Sequence, residues 1–327
     1  MAMIPVMLAV PFTARRLRRL FTAAAACVCV LSQPAGAAPL PQAPECPVFP
    51  RDNHWNRPVD KLPVARDSKR IVGGIGARSH LHNNFGGGTW KGSPDGMPVT
   101  VVGGDQPKVP VLFEEFRWSD PGPYPIPPDA GIEYFGDPDA DHHVIVVDRD
   151  NCKLYETYDS KKVRGGAAWR AYAGATWDLR SNKLRPNGWT SADGAGLPML
   201  PGLARYDEVK RGKIDHALRF SVPATRKGWV YPARHDVSDS TDPNLPQMGM
   251  RLRLKKSFNV RPFPPQARVV LKAMKKYGMI VADHGNPWYY SGAPDPGWNN
   301  EDLHSLHKVL GKNFEVVDTS SLPRPGE

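Results

Sequence analysis

The chain is poor in cysteine. Four occur in 327 residues, and beyond residue 37 only Cys46 and Cys152 remain, too far apart for a Cys-x-x-Cys pair. Thiol redox centres and zinc ribbons of that design are therefore excluded. There is also no Walker A loop, no Gly-x-Ser-x-Gly elbow and no His-Glu-x-x-His motif. Their absence argues against a nucleotide partner and against the usual serine-hydrolase and zinc-peptidase designs. Basic residues are scattered rather than gathered into a stripe, and no RNA-recognition or zinc-finger signature accompanies them, which sets nucleic acid aside. No stretch reaches the roughly 20 apolar residues that a membrane-crossing helix needs. Uninterrupted backbone is scarce as well: 35 prolines and 30 glycines exclude long helices over most of the chain and favour short strands joined by loops. No internal repeat is evident, and no cofactor is indicated.

What is present begins with a leader. Arg15, Arg16, Arg18 and Arg19 precede an apolar run over residues 20–31, and the small-residue site Ala35-Gly36-Ala37 follows. This order of basic, apolar and small residues is that of a signal peptide over residues 1–37. The Arg15-Arg16 pair leaves general and twin-arginine export both open. Cleavage there would remove Cys27, Cys29 and four arginines, lowering the formal net charge from +10 to about +6. Cys46 and Cys152 are then the pair left in an oxidising compartment, and they are expected to form a disulfide. The expected location is secreted, extracellular or periplasmic. A moderately basic exported chain suits an anionic or neutral extracellular partner, and it equally serves plain solubility.

Residues 38–50 are proline-rich and read as an extended leader, and residues 51–327 as one β-rich domain. The organising stretch is residues 141–160, DHHVIVVDRDNCKLYETYDS. Two strand-like runs flank the turn composition Asp-Arg-Asp-Asn, which predicts a β-hairpin with His142 and His143 at its mouth. Glu133 lies shortly before it and Tyr158 near its end. Strand-like runs also surround Gly103-Gly104-Asp105, a strand pair is expected over residues 168–179, and further strands over 214–222, 229–235, 250–254, 279–282 and 314–317. In the run over 214–222, His216 shares the apolar face and reads as a hydrogen-bonded core residue. Met250, Leu252 and Leu254 are expected inward, with the basic residues between them outward.

Helical signals are few. Residues 203–211 form a short helix ended by Gly212, with Asp207 and Glu208 toward solvent. Residues 265–276 have apolar residues at helical spacing, prolines at the start and Gly278 at the end. A last short helix is expected over 302–310. The fold class is thus mainly β, a sandwich or jelly-roll-like arrangement with a few short peripheral helices.

The phrases DPGPYPIPPD, HHVIVVDRDNCKLYETYDS and GLPMLPGLARYDEV, with the helix-strand unit QARVVLKAMKKYGMIVADHG, resemble those of an uncharacterised family of secreted bacterial proteins. The resemblance covers nearly all of the chain after the leader. It implies export and a shared fold, and it carries no catalytic residues across. Some members are joined to carbohydrate-binding modules, which points by analogy to a glycan.

The residues that would serve such a function sit at strand ends. Glu133 or Asp283 would be the carboxylate, and His143, His235 or His284 its proton-transfer partner. Trp189, Trp288 and Tyr158 would offer faces to sugar rings. Hydrolysis needs two carboxylates, whereas a lyase needs a base such as His or Tyr and a cation to neutralise the uronate. His80 and His82 share a face if extended but lack a third ligand nearby, so no metal site is assigned. The expected partner is an extracellular polysaccharide, acted on by a glycoside hydrolase or polysaccharide lyase. A non-catalytic carbohydrate-binding or cell-envelope protein is the alternative.

Overall fold

The computed structural model describes Met1 and residues 36–327. The expected signal peptide lies outside the described residues, apart from Met1 and its last two positions. Four α-helices are present among the described residues: α1 (Ser68–Gly76), α2 (Tyr206–Lys210), α3 (Pro265–Lys276) and α4 (Asn300–His304). The strands of the N-terminal half are β1 (His82–Asn84), β2 (Thr89–Trp90), β3 (Ser93–Pro94), β4 (Val99–Val102) and β5 (Val111–Phe113). The central strands are β6 (Val144–Asp148), β7 (Lys153–Tyr158), β8 (Lys161–Val163), β9 (Ala168–Ala171) and β10 (Ala173–Asp178). The remainder are β11 (Leu218–Val222), β12 (Arg251–Leu254), β13 (Met279–His284), β14 (Tyr289–Ser291) and β15 (Phe314–Val316). The fold is mainly β, with few and short helices.

Two sheets build the frame. A six-stranded sheet runs β1-β14-β11-β13-β12-β15, and a four-stranded sheet runs β10-β7-β6-β4. Both are mixed: β1 with β14, β11 with β13 and β4 with β6 are parallel pairs. The expected hairpin is β6 and β7, antiparallel with Val144 opposite Thr157 and Asp148 opposite Lys153. Its apolar strand is buried on both faces, since successive side chains point to opposite sides. Ile145 and Val147 enter one core with Cys46, Cys152 and Leu154, while Val144 and Val146 enter another with Tyr124, Tyr155 and Trp169. The three-stranded sheet β5-β9-β8 covers that second face, giving a sheet-on-sheet layer.

The largest core lies around the six-stranded sheet. Ala267, Val270, Leu271 and Met274 of α3 join it, while Lys272 and Lys276 stay exposed. Gly278 ends that helical segment at φ 72°, where a Cβ would come within 2.3 Å of the Leu252 carbonyl oxygen. Only glycine fits that turn.

Several expectations are corrected. Residues 38–50 are not a loose tether: Ala38, Leu40, Ala43, Cys46, Val48 and Phe49 are all buried. The Cys46–Cys152 disulfide is present and pins this segment to the hairpin. Glu208 is buried rather than solvent-facing, as are Arg251 and Arg253 of β12. Arg251 reaches the carbonyls of His54, Arg57 and Tyr277, and Arg253 bonds Glu315, so both guanidinium groups satisfy loop backbone or an acid from inside the fold. The strand pair over 168–179 is divided: β9 belongs to the three-stranded sheet and β10 to the four-stranded one. Residues 229–235 form no strand, only a bridge from Trp229 to Met248. Helix α1, which is not among the expected helices, packs Ile71, Val72 and Ile75 into the main core. Among the described residues no helix is long and apolar enough to cross a membrane.

Candidate active site

Three backbone features bring the polar strand ends together. At the hairpin mouth, the amides of Asp159 and Ser160 donate to the carbonyls of Asp141 and His142, and the Glu133 amide donates to the His143 carbonyl. Glu133, Asp141, His143 and Tyr158 are thereby fixed beside one another. From the six-stranded sheet, β11 supplies Arg219 and β13 ends in Asp283 and His284. Between them runs the loop of residues 190–197, whose Ala195 amide donates to the Ala282 carbonyl and whose Gly194 amide donates to the Asp283 carboxylate at 3.2 Å.

The resulting cleft has a volume of about 390 Å³ and is walled by the rings of Trp118, Tyr158 and Tyr172, with Asp141, Asp193, His235, Asp283 and His284 among its polar lining. Nδ1 of His235 lies 3.0 Å from the Gly194 carbonyl oxygen, and Nε2 of His284 lies 2.8 Å from the Thr225 hydroxyl. Asp141 also lines an adjoining cavity of about 810 Å³, together with Glu133, Asp95 and His304.

Behind the cleft stands a buried pair. Nδ1 of His143 is 2.5 Å from a Glu133 carboxylate oxygen, and its Nε2 is 3.0 Å from the Ala192 carbonyl oxygen. Burial by itself would raise the Glu133 carboxyl and lower the His143 imidazole. Their mutual attraction outweighs it, holding Glu133 below its ordinary value and lifting His143 to about 9. Asp141, although its side chain is exposed, is raised by partial desolvation at the cleft first, with Glu133 and Asp283 adding to the rise and His143 opposing it. Asp193 is pushed up to about 6 by burial, against the pull of Arg219. Arg219 bonds Asp193 at 3.1 Å and the Ser291 hydroxyl at 2.7 Å, and lies 3.8 Å from Asp283. Burial, with Asp141 and Asp283, raises the Tyr158 phenol, so it stays protonated at neutral pH.

The structure sorts the residues expected from sequence. His235, Asp283, His284 and Tyr158 line the cleft itself. His143 and Glu133 stand directly behind it, and both ring nitrogens of His143 are already engaged, which argues against a free proton-transfer role in this state. Trp288 is fully buried, stacked against Phe220 and Phe314, and presents no face to a ligand. Trp189 lines a different cavity beside Arg185. His82 stacks on Tyr289 and lies against His307, and Nδ1 of His80 contacts the His307 carbonyl. Among the described residues, Glu133, Asp141 and His143 could hold a cation, since their donor atoms lie within 4.8 Å of one another.

Sequence reasoning missed Asp141, Asp193 and Arg219. Alternation along β11 had placed Arg219 opposite the apolar face, where the only signal was a charged residue inside a strand otherwise rich in core residues. No family model, curated protein or solved structure matches the chain.

Proposed function

We propose that this chain is an exported enzyme that cleaves an extracellular polysaccharide in the cleft between the hairpin and the end of β13. The carrying observation is an aromatic-walled cleft on which an oriented carboxylate, a phenol and two imidazoles converge. Rings such as Trp118, Tyr158 and Tyr172 can stack on the apolar faces of sugars, and the surrounding polar groups can bond their hydroxyls. Asp283 is the group best placed to take a proton, because Gly194 and Arg219 fix its carboxylate without removing it from the cleft. Tyr158 is kept as a phenol and can donate a proton to a departing oxygen. The disulfide, the signal-like leader and the resemblance to secreted proteins support an extracellular setting.

The test is a panel of neutral and uronic-acid polysaccharides incubated with the purified protein, read by new reducing ends and by the absorbance of unsaturated products. Cleavage of at least one polysaccharide is expected. Asp283→Asn should abolish it while changing stability by less than about 1 kcal/mol, since the amide keeps the shape and the site is partly open. Glycan binding with no product from any member of the panel would replace the enzyme with a carbohydrate-binding protein.

A further inference from the structure

Glu133, Asp141 and His143 turn donor atoms of two chemical kinds into one small volume: two carboxylate oxygens and a ring nitrogen, all within 4.8 Å of one another. The imidazole is oriented from behind. Its Nε2 faces the Ala192 carbonyl oxygen at 3.0 Å, a contact it can make only as a donor, so Nδ1 is the atom presented to Glu133. Metal-binding imidazoles are commonly held in this way, by a carbonyl on the far nitrogen. The volume is also reachable, because Glu133 and Asp141 line the larger cavity and Asp141 lines the cleft as well.

Charge supplies an independent observation. Arg219 lies 3.1 Å from Asp193 and 3.8 Å from Asp283, and His143 lies 2.5 Å from Glu133 with Asp141 beside them. Four carboxylates thus face two cations. Oδ1 of Asp193, in a side chain almost wholly buried on the cleft wall, has no hydrogen-bond partner among the described residues. A cluster in this condition lacks positive charge.

We propose that Glu133, Asp141 and His143 form a binding site for one divalent transition-metal ion, with its open positions toward the two cavities. One imidazole and two carboxylates make a mixed nitrogen and oxygen set that suits zinc or manganese. Three protein ligands with space beside them is the arrangement of a catalytic rather than a structural centre. On binding, the ion takes the place of the proton that otherwise joins Glu133 to His143, and that proton passes to solvent. Resting on the glycan reading, the site also narrows the substrate. Asp141 is then engaged as a ligand, Asp283, Tyr158 and His235 remain for proton transfer, and the added positive charge suits a uronate-bearing chain.

Metal binding is read without any substrate, so its outcome is separate from that of the glycan assay. The protein is stripped with EDTA, then titrated with zinc chloride and manganese chloride by calorimetry, with bound metal counted by mass spectrometry of the desalted protein. One ion per chain is expected, with a rise in Tm on binding. Asp141→Asn, at the exposed ligand, should keep the fold and weaken binding about tenfold or more. His143→Gln should do the same, with circular dichroism checking that it folds. The proposal is overturned if neither ion binds stoichiometrically to the unaltered protein. It is equally overturned if Asp141→Asn binds as tightly as the parent while His82→Ala with His304→Ala loses the ion.

Discussion

Glu208 shows how far a single side chain can depart from its local sequence. It sits on a five-residue helix beside Asp207, yet it is completely buried, with Nε2 of His216 at 2.8 Å, the Arg205 guanidinium at 3.4 Å, Arg211 at 3.7 Å and the Ala38 amide at 3.4 Å. Burial would raise this carboxyl, but His216 and Arg205 outweigh it and bring it down to about 2, below an ordinary value of 4.5. A carboxyl depressed in the folded state contributes stability above the unfolded value and loses it as pH falls toward the folded one. Between pH 4.5 and 2 the protein should therefore lose up to about 3 kcal/mol through this group, and Glu208→Gln should remove that part of the acid sensitivity. At neutral pH the same substitution should cost about 3–5 kcal/mol in urea unfolding, because His216 is left buried without its acid and Arg205 keeps only Asp207. The histidine of this pair was legible, since His216 alternates onto the apolar face of its strand. Its partner was not. Its contacts with Ala38 and His216 come from outside α2, and no short-range pattern in that helix records them.

Elements divide in the same way between those that satisfy their own pattern and those completed from elsewhere. The hairpin of β6 and β7 and helix α3 were readable because strand alternation, turn residues and helical spacing are local properties. Helix α1 was hidden by three glycines in nine residues, which lower helix propensity, and it stands because Ile71, Val72 and Ile75 pack into the core. Proline content likewise made residues 38–50 look extended, although the segment fills one face of the four-stranded sheet. The Cys46–Cys152 bond holds it there across 106 residues. The chain-entropy model gives such a loop about 4–5 kcal/mol. Cys46→Ser with Cys152→Ser should lower unfolding stability by about 2–5 kcal/mol, and the parent under reducing conditions should match the double variant. Equal urea midpoints for the oxidised parent and the double variant would show that apolar packing alone fixes the segment.

At the scale of the whole molecule, the candidate site lies on a seam. Glu133, Asp141, His143 and Tyr158 are set by the four-stranded sheet and its hairpin, whereas Arg219, Asp283 and His284 come from β11 and β13 of the six-stranded sheet. Sequence could nominate residues at strand ends on either side, but it could not show which ends meet, because that depends on the parallel pairing of β11 with β13 and on the loop of residues 190–197 between the sheets. Arg219 is the principal tie: it joins Asp193 of that loop to Ser291 of β14 from a fully buried position. Replacing it by methionine keeps the apolar stem but leaves Asp193 without its cation. The loss should be about 3–5 kcal/mol, the cost of breaking a buried pair from one side. If the seam makes the two sheets one cooperative unit, Arg219→Met should still unfold in a single transition, with tryptophan fluorescence and far-ultraviolet circular dichroism giving the same lowered midpoint. Two separated transitions in the variant would mean that Arg219 couples sheets able to fold independently, and that the cleft is formed by docking rather than by folding.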